Sequence, residues 1–259
     1  MKKSPTDLSD SQWQVIKQFL NTKRKRKHDL RNILNAILYM VKTGCQWRML
    51  SSVYPNWQIV YYYFTQWKTQ QVLEQIRCFL VKQVRLKQGR TEQPTAGIID
   101  TQSVKSTLVS SKGHAGYDGG KKIKGIKRHI VVDTLGLLLD VTVHSANIAD
   151  RRGAAMILPK LSLNWDNIKT IFADGGYPPP QKVNVKGQQL CGYCLEIVKR
   201  TELNTFKVVP KRWIVERTFA WLETNRRNAK SYERLPCTAE AMVQLSAIRI
   251  MLKQFDNKT

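Results

Sequence analysis

The chain has 259 residues, enough for one large domain or a core domain with a small companion. Its 43 Lys and Arg face only 19 Asp and Glu, a formal charge of +24. That excess favours a polyanionic partner, nucleic acid ahead of a membrane surface, because the cations are spread along the chain and not gathered on one amphipathic helix. No apolar run approaches the ~18 residues of a transmembrane helix. No apolar signal core follows the lysines of MKKSPTDLSD, so a cytoplasmic location without a membrane partner is expected. Five cysteines, an odd number, fit reduced thiols. Cys191 and Cys194 form a lone C-x-x-C. Zinc needs two further ligands, and His28, His114, His129 and His144 all lie far upstream, so ordinary thiols are expected.

Residues 1–94 read as helical. Ser9 is a good N-cap with Gln12 at the capping-box position, flanked by Leu8 and Trp13 at the staple positions. A basic run, Lys23 to Lys27, follows. Leu30, Ile33, Leu34, Ile37 and Val41 mark a second helix that Gly44 ends. Pro55-Asn56 opens a third, with Trp57, Val60, Tyr61, Phe64 and Trp67, and a fourth runs from about Val72 to Leu86. Short helices with tight turns and positive charge suit a helix-turn-helix-like DNA reader. A plain bundle with a solvated basic face fits the pattern equally well. The polar stretch QGRTEQP, residues 88–94, predicts the domain boundary, giving a helical domain over 1–92 and a second domain over 93–259.

From Thr95 the pattern turns to strands. Ala96 to Ile99 is an apolar run that ends at Asp100. His129–Asp133 and Leu137–His144 predict a hairpin around Thr134-Leu135-Gly136. Asp150 is placed to cap a helix through Ala154, Ile157 and Leu158. Thr170–Ala173 forms a strand that ends at Asp174, and short strands are expected near Leu195–Val198 and Phe206–Val209. A helix after Pro210 carries Trp213, Ile214, Val215, Phe219 and Leu222. The whole is an α/β pattern with a mixed sheet and flanking helices.

Asp100 and Asp174 each stand at the end of a buried strand, where a carboxylate can face a cleft. Glu216 lies on a helix whose apolar neighbours can pack on the same sheet. Carboxylates gathered ~4 Å apart repel one another by about 4 kcal/mol per pair at an effective dielectric near 20. Such a cluster calls for cations, and hard oxygen ligands select Mg²⁺ or Mn²⁺. Two such ions support in-line displacement at phosphorus. Taken singly, either aspartate is equally readable as structural. Asp133 and Asp140 read as turn or exposed residues, Asp118 as part of a Gly-rich loop, and Asp150 and Asp166 as caps or turns.

These segments resemble the DDE transposases of bacterial insertion sequences, in the group related to insertion sequence five. LSDSQWQVIKQFL, TGCQWRML and YPNWQIVYYYF are similar to that family's helical domain. IIDTQSVKS carries the first aspartate, Asp100, and FADGGY the second, Asp174. WIVERTFAWL, followed by RRNAKSYERL, carries the glutamate, Glu216. YDGGKKIKGIKRHIVVDTLGLLL is similar to the family's basic loop and its second and third strands. The resemblance implies a ribonuclease H-like core and a catalytic, metal-holding triad of Asp100, Asp174 and Glu216 with two Mg²⁺ or Mn²⁺ ions. It also implies binding to terminal inverted repeats and target DNA, strand cleavage and transfer, and a homo-oligomeric synaptic complex. Expected DNA contacts are Lys121, Lys122, Lys124, Lys127 and Arg128 in the basic loop, with Lys211, Arg212, Arg217, Arg226 and Arg227 around the glutamate. Relatives often keep a Tyr, an Arg and a Lys there. Arg212 matches the arginine, whereas Val209 and Glu223 occupy the tyrosine and lysine positions. Only 41 residues separate Asp174 from Glu216, which leaves little room for a large β insertion. A ribonuclease H-like nuclease without strand transfer, and a non-catalytic DNA-binding protein of transposase descent, are the competing expectations. The intact triad speaks against the second.

Overall fold

A computed structural model describes residues 4–107, 114–177, 194–197 and 212–256. Helix α1, Asp10–Ile16, opens with the capping box read from the sequence: Gln12 N–H donates to Ser9 Oγ (3.1 Å), and Ser9 N–H donates to the Gln12 side chain (3.1 Å). Helix α2, Leu30–Thr43, starts on Asp29 and stops at Gly44, whose φ of 72° is the left-handed cap that glycine adopts without strain. Asn56 caps α3, Trp57–Thr69, and a two-residue turn leads into α4, Val72–Lys87. The connector from α2 to α3, residues 44–56, is long and holds one 3₁₀ turn, Trp47–Met49.

The second part is a six-stranded mixed sheet: β1 (Ala96–Lys105), β2 (Gly116–Asp118), β3 (Ile123–Val132), β4 (Leu138–Ser145), β5 (Thr170–Ala173) and β6 (Cys194–Ile197). The order is β2-β3-β1-β5-β6, with β4 on the same side of β3 as β2 and further along it. Strands β1, β5 and β6 are parallel; β3 runs against β1, and β4 against β3. Helix α5 (Asp150–Ser162) precedes β5, and α6 (Arg212–Glu223) and α7 (Pro236–Asp256) close the chain.

Helix α7, with 21 residues, has no counterpart among the expected elements. Ala239, Ala241, Met242, Val243, Leu245, Ala247, Ile248, Met251 and Leu252 are all buried, because α7 packs against α4, β4 and α2 together. A helix covered on several sides loses the one-faced period that marks an amphipathic helix. Its Glu240 accepts a hydrogen bond from Val143 N–H (2.9 Å), satisfying part of the edge of β4. The helical region and the sheet share one apolar core. Polar ties run between them as well: Arg77 donates to the carbonyls of Leu138 and Leu139, and Arg85 pairs with Asp133.

Several aspartates differ from expectation. Asp133 does organise the hairpin turn, accepting from Leu135 N–H (2.9 Å) and Leu137 N–H (2.8 Å), but it is fully buried and not exposed. Asp140 is buried within β4 near Arg77, and burial pushes its carboxyl up. Asp150 is the first residue of α5; Ala149 is the cap, and Asp150 pairs instead with Lys127 (2.9 Å). The expected strand over Phe206–Val209 lies outside the described residues, as do Cys191 and Val209.

Candidate active site

Asp100 does not end its strand. β1 continues to Lys105, because its outer half still pairs with β3 after its parallel partner β5 has stopped. The β1–β5 ladder pairs Ala96 with Thr170, Gly97 with Ile171 and Ile98 with Phe172. Two places further on, the same register sets Asp100 opposite Asp174, one strand spacing (~4.8 Å) away. Asp174 directly follows β5 and starts a tight turn: its carboxylate accepts from Gly176 N–H (3.0 Å) and its carbonyl from Tyr177 N–H (3.2 Å). Burial pushes the Asp100 carboxyl up to about 6; the Thr101 amide and Arg212 oppose the rise, Asp174 adds to it, and Lys121 opposes it.

The third carboxylate comes from α6. Ile214, Val215, Thr218, Phe219 and Leu222 bury one side of that helix. The hairpin turn receives it: Thr218 Oγ1 lies 2.9 Å from Gly136 O, and Arg217 donates to Leu135 O (2.9 Å). Gly136, at φ +84°, leaves no room for a side chain there, since a Cβ would meet Thr218 Oγ1 at 2.9 Å. Docked this way, α6 brings Arg212 to both remaining acids. Its guanidinium lies 3.4 Å from Asp174 Oδ2 and 3.4 Å from Glu216 Oε1. The side chains of Arg212, Asp174 and Glu216 are 32%, 27% and 60% exposed, so the bridge stands at the mouth of the site.

Behind the aspartates lies a buried polar cluster that sequence reasoning missed. His129 on β3 and His144 on β4 meet at 2.8 Å, Nδ1 to Nε2. A carbonyl only accepts, so His144 Nδ1, 2.9 Å from Ser145 O, is a donor, His144 Nε2 an acceptor and His129 Nδ1 a donor. Burial, with His144 beside it, pushes His129 down to about 3. Tyr177 presents its ring edge-on to His129, and its phenol is held well above the ordinary value by burial and then by the charges of Asp100, Asp150 and Asp174. The Tyr177 hydroxyl is buried and has no hydrogen-bond partner among the described residues. The signal available in the sequence was the presence of one histidine on each of two adjacent predicted strands, His129 and His144.

The expected DNA contacts divide. Lys121, Lys122, Lys124 and Arg226 are exposed, and Lys121 Nζ donates to Thr101 O (3.3 Å), which holds the basic loop beside Asp100. Lys127, Arg128 and Arg227 are buried and correct the expectation. Lys127 pairs with Asp118 (3.6 Å) and Asp150 (2.9 Å). Arg128 donates to Asn228 O (2.8 Å). Arg227 pairs with Glu233 (2.7 Å). The Arg128 partner lies 100 residues away, whereas Asp118 and Glu233 are near Lys127 and Arg227 in sequence. Arg217 is half-buried, its guanidinium 4.6 Å from the Trp213 ring and 4.4 Å from the Trp221 ring. Glu223, at the position where relatives carry lysine, accepts from Gln102 (2.6 Å). Lys211 lies outside the described residues.

The donor chemistry of Asp100 and Asp174 suits a hard divalent cation, with the unpartnered Tyr177 hydroxyl buried nearby. Among the described residues no group of three His, Cys, Asp or Glu converges tightly enough to hold a metal ion. The guanidinium of Arg212 bridges Asp174 and Glu216 at 3.4 Å each.

A mixed sheet flanked by helices, bearing neighbouring acids near its centre, is the ribonuclease H-like architecture of DDE domains. Residues 91–251 match the family model "Transposase DDE domain", and residues 8–77 match "Putative transposase of IS4/5 family". The chain therefore belongs to the DDE transposases of insertion sequences. No curated protein and no solved structure matches it.

Proposed function

We propose that the chain binds the terminal inverted repeats of its own element and cuts and joins DNA there. Asp100, Asp174 and Glu216 would hold two Mg²⁺ or Mn²⁺ ions. The observation that carries this reading is the register of β1 on β5, which sets Asp100 opposite Asp174 while α6 delivers Arg212 to Asp174 and Glu216 together.

Bound divalent cations would supply charge stabilisation at the phosphate oxygens. The chain's own residues do the rest. The sheet fixes Asp100 on β1 and Asp174 just past the end of the adjacent β5, and the Thr101 amide holds one Asp100 oxygen (2.7 Å). Arg212, with two parallel donors, is suited to grip a DNA phosphate once its carboxylate partners are neutralised. Lys121, held beside Asp100 through Thr101 O, together with the exposed Lys122, Lys124 and Arg226, supplies cations for the DNA backbone. Residues 1–92 form the end-binding part and residues 93–259 the catalytic part. The acting form is a homo-oligomer that holds two ends, and its work is done in the cytoplasm. No helix among the described residues is long and apolar enough to cross a membrane.

The test is a supercoiled plasmid carrying the DNA that flanks the gene, incubated with the purified chain. Cleaved and joined products should form with Mg²⁺ or Mn²⁺ and vanish on chelation. Products that persist under thorough chelation, or none with either metal, would contradict the reading. Cleavage without joining would support the simpler nuclease.

A further inference from the structure

The loop between Leu20 and α2 carries five consecutive cations, Lys23 to Lys27, and four of them, Arg24, Lys25, Arg26 and Lys27, lie over the middle of α3. Arg26 donates to Arg24 O (2.7 Å), which ties the loop back on itself. Between loop and helix is a cavity of about 370 Å³, lined by residues 24–28 and, from α3, by Tyr62, Tyr63 and Gln66. That volume falls at the lower end of small-ligand clefts, roughly 300–1,000 Å³. A smaller cavity of about 180 Å³ shares Arg24, Arg26, Tyr63 and Gln66 with it. No acidic side chain lines either one.

The two tyrosines differ. Tyr63 is half-buried and anchored on Trp67, with ring centroids 5.6 Å apart. Tyr62 is 61% exposed and stands at 86° to the Tyr63 ring, 5.3 Å away. The pair makes an aromatic corner with one open face, and the loop supplies a cationic rim. Four adjacent cations with no acid in their pocket call for an anionic ligand. An open aromatic ring beside them calls for a flat, stackable group. An acidic peptide would satisfy the cations and leave the ring unused. A duplex keeps its base faces stacked inside. An unpaired nucleotide supplies both parts, and stacking on aromatic rings along a cationic groove is the physics of single-strand binding.

We propose that this pocket seats one unpaired nucleotide of DNA, its base stacked on Tyr62 and its phosphates on residues 24–27. The proposal rests on the reading of the chain as a DNA-handling transposase, whose cut or opened ends supply such nucleotides, and it assigns the helical region a single-strand site besides any duplex contact.

The experiment uses the full chain and fluorescence anisotropy at one fixed ionic strength. The probes are an oligothymidylate of about eight nucleotides, an abasic oligonucleotide of the same length, and a random-sequence duplex. Oligothymidylate should bind about tenfold tighter than the abasic strand, or ~1.4 kcal/mol. Tyr62→Ala should erase that difference without weakening the abasic strand, and Tyr62→Trp should retain it. Tyr62 is exposed, so neither change threatens the fold. Equal binding of the two strands by the wild type overturns the proposal. So does a Tyr62→Ala variant that leaves oligothymidylate binding intact or weakens both strands alike. The duplex keeps the two levels apart: duplex binding without base-dependent single-strand binding removes the pocket alone, whereas a chain that binds none of the three probes removes the DNA-handling reading beneath it.

Discussion

Removing Arg212 should harm catalysis much more than folding. Its two ion pairs span 3.4 Å each and stand at the mouth of the site, with Glu216 60% exposed. An exposed i, i+4 pair contributes roughly 0.3–0.5 kcal/mol, and the less exposed pair with Asp174 up to about 1. Arg212→Ala should thus lower stability by about 1 kcal/mol, a shift of roughly 2–4 °C in Tm for a chain of this size. If the same guanidinium grips a phosphate in the DNA complex, cleavage should fall at least about tenfold, equivalent to ~1.4 kcal/mol in the barrier. Arg212→Lys should recover part of the rate, since an ammonium keeps the charge but not the fork. Thermal melts alongside single-turnover cleavage of labelled ends separate the two effects. A collapse of stability with normal cutting by the surviving folded fraction would make Arg212 a structural bridge and refute the phosphate role.

Two further outcomes concern the frame around the site. Asp133 is fully buried and its partner Arg85 nearly so, so Arg85→Met strands a carboxylate and should cost ~3–5 kcal/mol in urea unfolding. Arg85→Met combined with Asp133→Asn should cost less than the single change; a single-variant loss below about 1 kcal/mol would show that Asp133 does not depend on Arg85. His129, held down at about 3 against an ordinary 6.5, stays neutral in the folded protein while the unfolded chain takes up a proton. Its contribution is complete above about pH 6.5 and is lost as pH falls toward 3, at ~1.4 kcal/mol per pH unit. His129→Gln should flatten the fall in stability between pH 6 and pH 5 by about that slope. Raised acids such as Asp100 act in the opposite sense in both proteins and cancel in the comparison. Identical slopes for wild type and variant would contradict the buried neutral state.

What could be read from the sequence was local. Ser9 and Gln12 are three residues apart and cap each other, and Gly44 ends α2 for reasons contained in one residue. The segment Ile123–Arg128 reads as a basic loop, yet it is the first half of β3, lying between β1 and the outer strands. Lys127 and Arg128 tolerate that position only because Asp118, Asp150 and the Asn228 carbonyl are brought to them by the fold. Asp133 and Asp140 mislead in the same way, since their cationic neighbours Arg85 and Arg77 come from α4. Although the apolar run ends at Asp100, its strand runs on to Lys105; Asp174 was legible as a strand-end position and Glu216 as a helix position. Their arrangement was not: the overrun of β1 past Asp100 depends on β3, and the bridge from Arg212 to Asp174 depends on how α6 seats against the hairpin turn.

We propose that Asp100, Asp174 and Glu216 do the cutting. This proposal is tested most directly by Asp100→Asn, Asp174→Asn and Glu216→Gln, each assayed for binding to element ends by gel shift and for cleavage of the same ends with Mg²⁺. Each variant should bind the ends as the wild type does and cut none of them. A variant that retains full cleavage would remove its residue from the site, and full cleavage by all three would contradict the account.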